Sequence, residues 1–362
     1  MNNFRARSCR PLRNGKRRHL AVAHFSMPPA GHFARRPTTD PTNLYLHRHS
    51  LYAPELVAAA VVGLDFFSWL EKFPADLATI CSSLGLAERP ADVMLTLFCS
   101  MGYLEKKADT FYLTNVSRDF LVRGSPWFIG PYYMHMADRP ICQGLLETLR
   151  TDKPGGWAED MLDQTFAEGF TGTMDCRGLY VGPALAEQLD LAGRRRVLDI
   201  AGSSGIYACC IVATHPRMRA TVFERPPVDR VAAKYIAERG FANRVDVLAG
   251  DMFRDPLPAG CDVHLWSNVL HDWDVPRVRC LLKKSFAALP SGGLVAIHDK
   301  HLNREKTGPL GIATHSVYLM ARTEGRFYSM AEIEAFLLEA GFRDPDYREI
   351  VADYSIITAR RP

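Results

Sequence analysis

The segment Asp199-Ile200-Ala201-Gly202-Ser203-Ser204-Gly205 closes one short apolar run and opens a helical one. Small residues at such a point let the backbone approach a ligand at the carboxyl edge of a sheet. The stretch is not the G-x-G-x-x-G of a dinucleotide fold, and by itself it reads equally well as a tight structural turn. A second signal stands 25 positions beyond Asp199, where Glu224, followed by Arg225, ends another apolar run. A carboxylate at that tip can accept both hydroxyls of a ribose, although alone it is also what a solvated strand end looks like. The third tip, Gly250-Asp251-Met252-Phe253, offers an acid and apolar side chains able to sandwich a flat base. Ser267 and Asn268 close a fourth run and join the same set of candidates. Taken together, the tips outline one site shaped for a nucleoside.

His271 follows at once, in Val269-Leu270-His271-Asp272-Trp273. An imidazole with an ordinary pKa near ~6.5 is mostly neutral at pH 7 and can accept a proton from a hydroxyl within hydrogen-bond reach. On spacing alone it can also be a capping or packed histidine. His264, His271, Asp272 and Asp274 straddle a strand and a turn without metal-ligand spacing, so no metal is expected.

The elements that must carry these residues are legible from Arg194 onward. Short apolar runs at Val197–Ile200, Thr221–Glu224, Val245–Leu248, Asp262–Trp266 and Leu294–Ile297 alternate with helical stretches at Ile206–Thr214, Val228–Arg239 and Val275–Leu289. That alternation predicts an α/β fold, a doubly wound Rossmann-like parallel sheet with helices on both faces. After a helix over Met330–Ala340, Ser355–Thr358 is expected as the edge strand. Before the sheet, from about Leu44 to Leu191, the pattern is helical. Helices are expected over Leu56–Leu70, Ala75–Leu84 and Ala91–Met101, followed by strands at Tyr103–Lys107 and Thr110–Thr114 around an Ala108-Asp109 turn. Together they resemble a winged helix. Ala91–Gly102 carries no Arg, Lys, Asn or Gln with which to read DNA, so that apolar helix is better placed in an interface or a core.

Nine Lys or Arg and no acid lie within residues 1–39, and removing them from totals of 44 basic and 40 acidic residues leaves 35 against 40. The body is therefore slightly acidic, which argues against nucleic acid as a partner. Residues 1–36 are expected to be a disordered basic tail, with Met27 as a possible working start. The expected domains are this tail, a helical winged-helix-like dimerisation and substrate-lid domain over 37–185, and a ligand-binding α/β domain over 186–362. The run Leu56–Leu70 is short of the ~20 residues that a bilayer span needs. Nine cysteines without C-x-x-C or Cys/His ligand spacing read as reduced thiols, so a cytoplasmic protein is expected.

In this order the motifs resemble the class I S-adenosylmethionine-dependent methyltransferases of the plant caffeate and hydroxyindole O-methyltransferase type and their bacterial relatives. The resemblance covers the chain from about Leu44, and His271-Asp272-Trp273 is its most specific part. It implies that S-adenosyl-L-methionine is the cofactor, that Asp199 to Gly205, including Gly202, Ser203 and Gly205, lines its methionine part, that Glu224 holds the ribose and that Asp251 with Met252 flanks the adenine. It also implies that His271 is the general base and Asp299 its orienting acid. A second acid of the family falls at Phe327 here, and Ala201 and Ser203 stand where glycines are usual. The acceptor pocket is expected from Tyr132 and Met136 on one side and His315, Tyr318, Leu319 and Phe327 on the other; such a lining suits a flat apolar acceptor. O-methylation is the leading expectation. Transfer to carbon or nitrogen, which needs no strong base, stands second, and a non-catalytic winged-helix regulator third. A homodimer through the N-terminal helices is expected as well.

Overall fold

The computed structural model describes residues 30–153, 155 and 160–362, and most of the expected basic tail, with Met27, lies outside the described residues. The last residues of the expected tail, from Ala30 on, are part of the fold. Ala30–Ala34 form a 3-10 turn, and Phe33 is buried edge-on against Phe241, with ring centroids 5.6 Å apart.

Seven strands form one sheet: β3 (Arg196–Ile200), β4 (Arg219–Glu224), β5 (Val245–Ala249), β6 (Val263–Ser267), β7 (Leu294–Asp299), β8 (Arg343–Glu349) and β9 (Ser355–Arg360). Their order is β5-β4-β3-β6-β7-β9-β8. The first five are parallel, while β9 is antiparallel to β7 and β8 to β9. Because alternate residues face opposite sides, Val197, Val222 and Leu265 enter a core with the helix Ile206–Thr214, whereas Leu198, Phe223 and Trp266 enter one with the helices Val275–Ala288 and Met330–Ala340. The chain leaves β3 toward β4 and β5, then returns to β6 on the other side of β3. A crevice therefore opens at the carboxyl ends of β3 and β6, the usual ligand position in such sheets. One expectation is corrected: β9 does not form the edge. The edge is β8, whose sequence Arg-Asp-Pro-Asp-Tyr-Arg-Glu is polar and largely exposed, so no apolar alternation announces it.

The N-terminal helices build another core. Glu88–Ser100 buries Ala91, Val93, Met94, Leu95, Leu97 and Phe98, so the helix with no base-reading side chains is core. The hairpin expected after it is present as β1 (Leu104–Lys107) and β2 (Thr110–Leu113). Leu56–Leu70 is not one helix. A first helix, Ala53–Ala58, runs through a π turn to Gly63; Asp65 then adopts φ 50°, and Phe66–Lys72 sets off with a 62° bend. Among the described residues no single helix is long and apolar enough to cross a membrane.

The two halves interlock. The long helix Gln164–Gln188 spans the expected boundary at 185 and 186, and its end packs in the sheet's core through Val181 and Leu185. In return the helix Leu310–Arg322 places Ile312, Val317 and Met320 in the N-terminal core.

Candidate active site

A cavity of about 1150 Å³ opens over the carboxyl ends of the strands and is closed on its far side by the helices Thr42–His49, Gln164–Gln188 and Leu310–Arg322. Its floor is the turn after β3. Ala201 and Ser203 adopt φ of 54° and 53°, the left-handed region usually left to glycine. Gly202 between them lies on the Asp199 side chain so closely that an added Cβ would stand 2.6 Å from its Cγ. Asp199 is fully buried with no well-formed hydrogen bond to either carboxylate oxygen, and burial pushes its pKa up to about 7. It lies beneath the cavity, as does Gly205, which caps the following helix. Asp175 accepts a hydrogen bond from Ser204 Oγ at 2.5 Å and pairs with the buried Arg239, which ties the turn to the long helix.

Glu224 stands at the tip of β4. Its Oε2 accepts from Ser203 N at 3.0 Å and its Oε1 from Arg225 N at 2.9 Å, so both oxygens are fixed and each keeps a lone pair for a ligand hydroxyl. Burial raises its pKa against these two amides. At the next tip Asp251 accepts from Phe253 N at 2.8 Å. Lys284 Nζ holds the same loop by donating to the carbonyls of Met252, Phe253 and Asp255 at 2.5, 3.0 and 2.5 Å. Phe253 meets Trp273 edge to face at 4.7 Å, and both border the cavity with Gly250, Met252 and Arg225.

Ser267 and Asn268 follow β6 in the cavity wall. Asn268, at φ 56°, is fully engaged: Nδ2 donates to Tyr207 Oη and Ser267 Oγ, while Oδ1 accepts from Tyr354 Oη at 2.8 Å and Arg177 Nη2 at 3.1 Å. His271 sits on the short turn Leu270–Asp272. Its Nδ1–H donates to both Asp299 oxygens, at 2.7 and 2.8 Å, leaving Nε2 for the cavity, with Asp272 Oδ1 3.6 Å away. Burial disfavours a charge on His271, but Asp299 and Asp272 outweigh it and raise its pKa above the ordinary value. Asp299 is lowered in turn, since His271 overcomes the effect of burial, and Asp272 is pushed by burial up to about 6. Phe327 lies edge-on to the imidazole at 5.1 Å, so a ring occupies the place of a second acid. Its approach depends on Gly325, where an added Cβ would stand 2.2 Å from the carbonyl oxygen of His271.

The structure thus gathers the cofactor candidates, with Asp199 and Gly205 as supports, and joins His271 to Asp299. Of the acceptor candidates, His315, Tyr318 and Leu319 line the cavity, and Phe327 backs His271 and His315. Tyr132 and Met136 do not. Their helix, Gly130–Ala137, packs on Ala58, Ala59 and Cys142, where Met136 is partly buried and Tyr132 is exposed. The wall they were expected to provide comes from Tyr45, His49, Phe166, Phe170, Met174 and Arg177. Sequence spacing gave no sign of these, because they sit on helices far along the chain from the strand tips. His264 hydrogen-bonds Ser285 inside the core, and among the described residues no cluster of His, Cys, Asp or Glu is placed to hold a metal.

Residues 154–343 match the model of the O-methyltransferase domain family. The chain is 35% identical over 294 residues to the 3-hydroxy-5-methyl-1-naphthoate 3-O-methyltransferase of Streptomyces sahachiroi, covering 79% of this chain and 84% of that protein. This chain belongs to the O-methyltransferase family. It is an S-adenosylmethionine-dependent methyltransferase that acts on oxygen, and the carbon, nitrogen and regulatory alternatives are not favoured. The O-methyltransferase is also 29% identical over 313 residues to the tetracenomycin polyketide synthesis 8-O-methyl transferase of Streptomyces glaucescens, covering 84% of this chain and 92% of that one. An O-methyltransferase family 2 protein from Planctomyces limnophilus, solved in complex with apigenin, superposes with a TM-score of 0.85 at 34% identity, covering 93% of this O-methyltransferase and all of that chain.

Proposed function

We propose that His271, oriented by Asp299, is the general base for O-methylation of a flat aromatic hydroxyl compound. The observation that carries this reading is the double contact of His271 Nδ1 with Asp299, which aims Nε2 at the cavity that Gly202, Glu224 and Met252 share. The residues fit the methyl donor. The glycine turn allows close approach, Glu224 keeps lone pairs for the ribose, and Met252, Phe253 and Trp273 supply apolar faces for the adenine. When bound, S-adenosylmethionine supplies a methyl carbon on a positively charged sulfur that leaves as a neutral thioether, so the protein has no leaving group to protonate. The chain's tasks are alignment, exclusion of water and removal of the acceptor's proton. His271 Nε2 takes that proton, and the Asp299 carboxylate stabilises the resulting imidazolium.

An aromatic acceptor is supported by the apolar wall of Phe166, Phe170, Tyr318 and Leu319, by a naphthoate in one relative's name and by apigenin in another's crystal. Within the proposal, residues 37–185 act as a dimerisation and lid domain and 186–362 as the donor-binding domain. A homodimer is supported by apolar side chains left exposed between Val116 and Ile141, and a cytoplasmic location by the eight described cysteines, all free. The decisive experiment is His271→Ala. A kcat reduced on the order of 10²- to 10⁴-fold, with S-adenosylhomocysteine affinity unchanged, is expected. A loss of only a few fold would mean that the nucleophile needs no base.

A further inference from the structure

We propose that Arg177 binds a carboxylate where the donor and acceptor ends of the cavity meet. The assignment rests on the site reading above and begins with an imbalance of charge. Arg177 projects from the long helix Gln164–Gln188 into the cavity wall and forms no ion pair among the described residues. Its partners are neutral: Nη2 donates to Asn268 Oδ1 at 3.1 Å, the guanidinium stands 5.8 Å from the centre of the Tyr354 ring, and Nε is buried without a hydrogen bond. A guanidinium keeps its proton in any protein setting, so this is a permanent cation whose direct contacts are neutral, and the carboxylate that acts on it from farther off, Asp299, is already engaged by His271. Shielding such a charge from water without an anion is costly, and an incoming carboxylate removes the cost.

The rest of the framework is suited to that task. Asn268 has all its donors and acceptors engaged, through Tyr207, Ser267, Tyr354 and Arg177, so the one contact to the guanidinium is rigid and its remaining N–H groups are free for a ligand. Glu224, Asp251 and Asp272 also line the cavity and repel a carboxylate, while of its other cations, Arg48, Arg225 and Arg322, none holds a buried guanidinium nitrogen without a hydrogen bond as Arg177 does. A carboxylate that reaches Arg177 meets a planar fork that matches it in shape and supplies the charge its surroundings lack. Two sources have this chemistry: the amino-acid end of the methyl donor and an acid group on an aromatic acceptor.

Calorimetry on Arg177→Met and Arg177→Lys separates the sources, with S-adenosylhomocysteine compared against 5′-methylthioadenosine, which lacks the amino-acid portion. If the donor's carboxylate is bound, Arg177→Met weakens S-adenosylhomocysteine on the order of ten- to a hundredfold, leaves 5′-methylthioadenosine within about twofold, and Arg177→Lys recovers part of the loss. If the acceptor's carboxylate is bound, S-adenosylhomocysteine is unaffected. The loaded wild-type protein then prefers 3-hydroxy-2-naphthoate to 2-naphthol, and Arg177→Met abolishes the preference. Equal losses for both nucleosides, or no change in nucleoside affinity and no acid preference to lose, overturn the proposal alone. Wild-type protein that binds neither nucleoside overturns the site reading with it.

Discussion

His271 and Asp299 behave as one unit, and their burial decides how. A histidine raised above its ordinary pKa is still partly protonated at neutral pH, and only the neutral ring can take a proton, so the acid limb of kcat is expected above ~6.5. Asp299→Asn removes the larger of the two charges that raise His271 while leaving the burial that lowers it. The limb should move to lower pH, and the plateau should fall on the order of 10²- to 10⁴-fold as the ring loses the partner that fixes its tautomer. A pH profile of kcat checks both, and an acid limb that stays in place would sink the assignment. These two residues were legible because each lies at or just beyond the end of an apolar run, where a parallel strand must deliver its side chains to one edge. Arg177, His49 and Tyr45 were not, since their distance along the sequence says nothing about which strand tip their helices will cover.

Between elements, one contact is made by two histidines and so answers to pH. His49, at the end of the helix Thr42–His49, stacks on His315 of Leu310–Arg322 with ring centroids 3.6 Å apart and planes within 3°. Both are buried with an unpartnered Nδ1, and burial is the main cause that lowers His49 to about 3 and His315 well below its ordinary value. A histidine that stays neutral in the fold but titrates near ~6.5 when unfolded supports the fold fully above that pH. Its support is lost as pH falls from there toward about 3. His49→Phe keeps a ring in the stack and removes one such group. Between pH 6.5 and 5 the wild type should lose about 2 kcal/mol more stability than the variant, at ~1.4 kcal/mol per pH unit. Denaturant midpoints at the two pH values test this, and parallel losses would refute it. The N-terminal helices show where local pattern stops informing: the run Leu56–Leu70 is apolar but for Asp65 and Ser68, yet one helix does not cover it, because the chain bends at Asp65, whose carboxylate accepts from Ser68 Oγ at 2.7 Å and pairs with Arg123. Strand β8 escaped notice for the opposite reason, as an edge strand needs no apolar face to pair with β9.

At the scale of the molecule, the apolar side chains that failed to reach the cavity are the informative ones. Trp127, Tyr132 and Met134 are 61, 75 and 61% exposed, and Phe120, Ile129 and Ile141 are exposed beside them in sequence. A soluble monomer seldom leaves so many large apolar groups together in water, and aromatic and Met side chains of this kind are enriched in the cores of protein interfaces. In the proposed homodimer these side chains would meet a second copy, while the helix Glu88–Ser100, also expected in an interface or a core, is buried in the chain's own core. An interface stable in solution needs about 1,200–2,000 Å² of total buried surface, which helices contributed by both copies can supply. Light scattering should give a mass near twice the 40.5 kDa of the chain. Trp127→Glu combined with Met134→Glu places charges where the partner's apolar surface would lie and should shift that mass to one chain. Because these side chains stand apart from the cavity, S-adenosylhomocysteine affinity should survive the change. A wild-type mass of one chain, or a variant that remains paired, would return this surface to solvent and leave its apolar character without a cause.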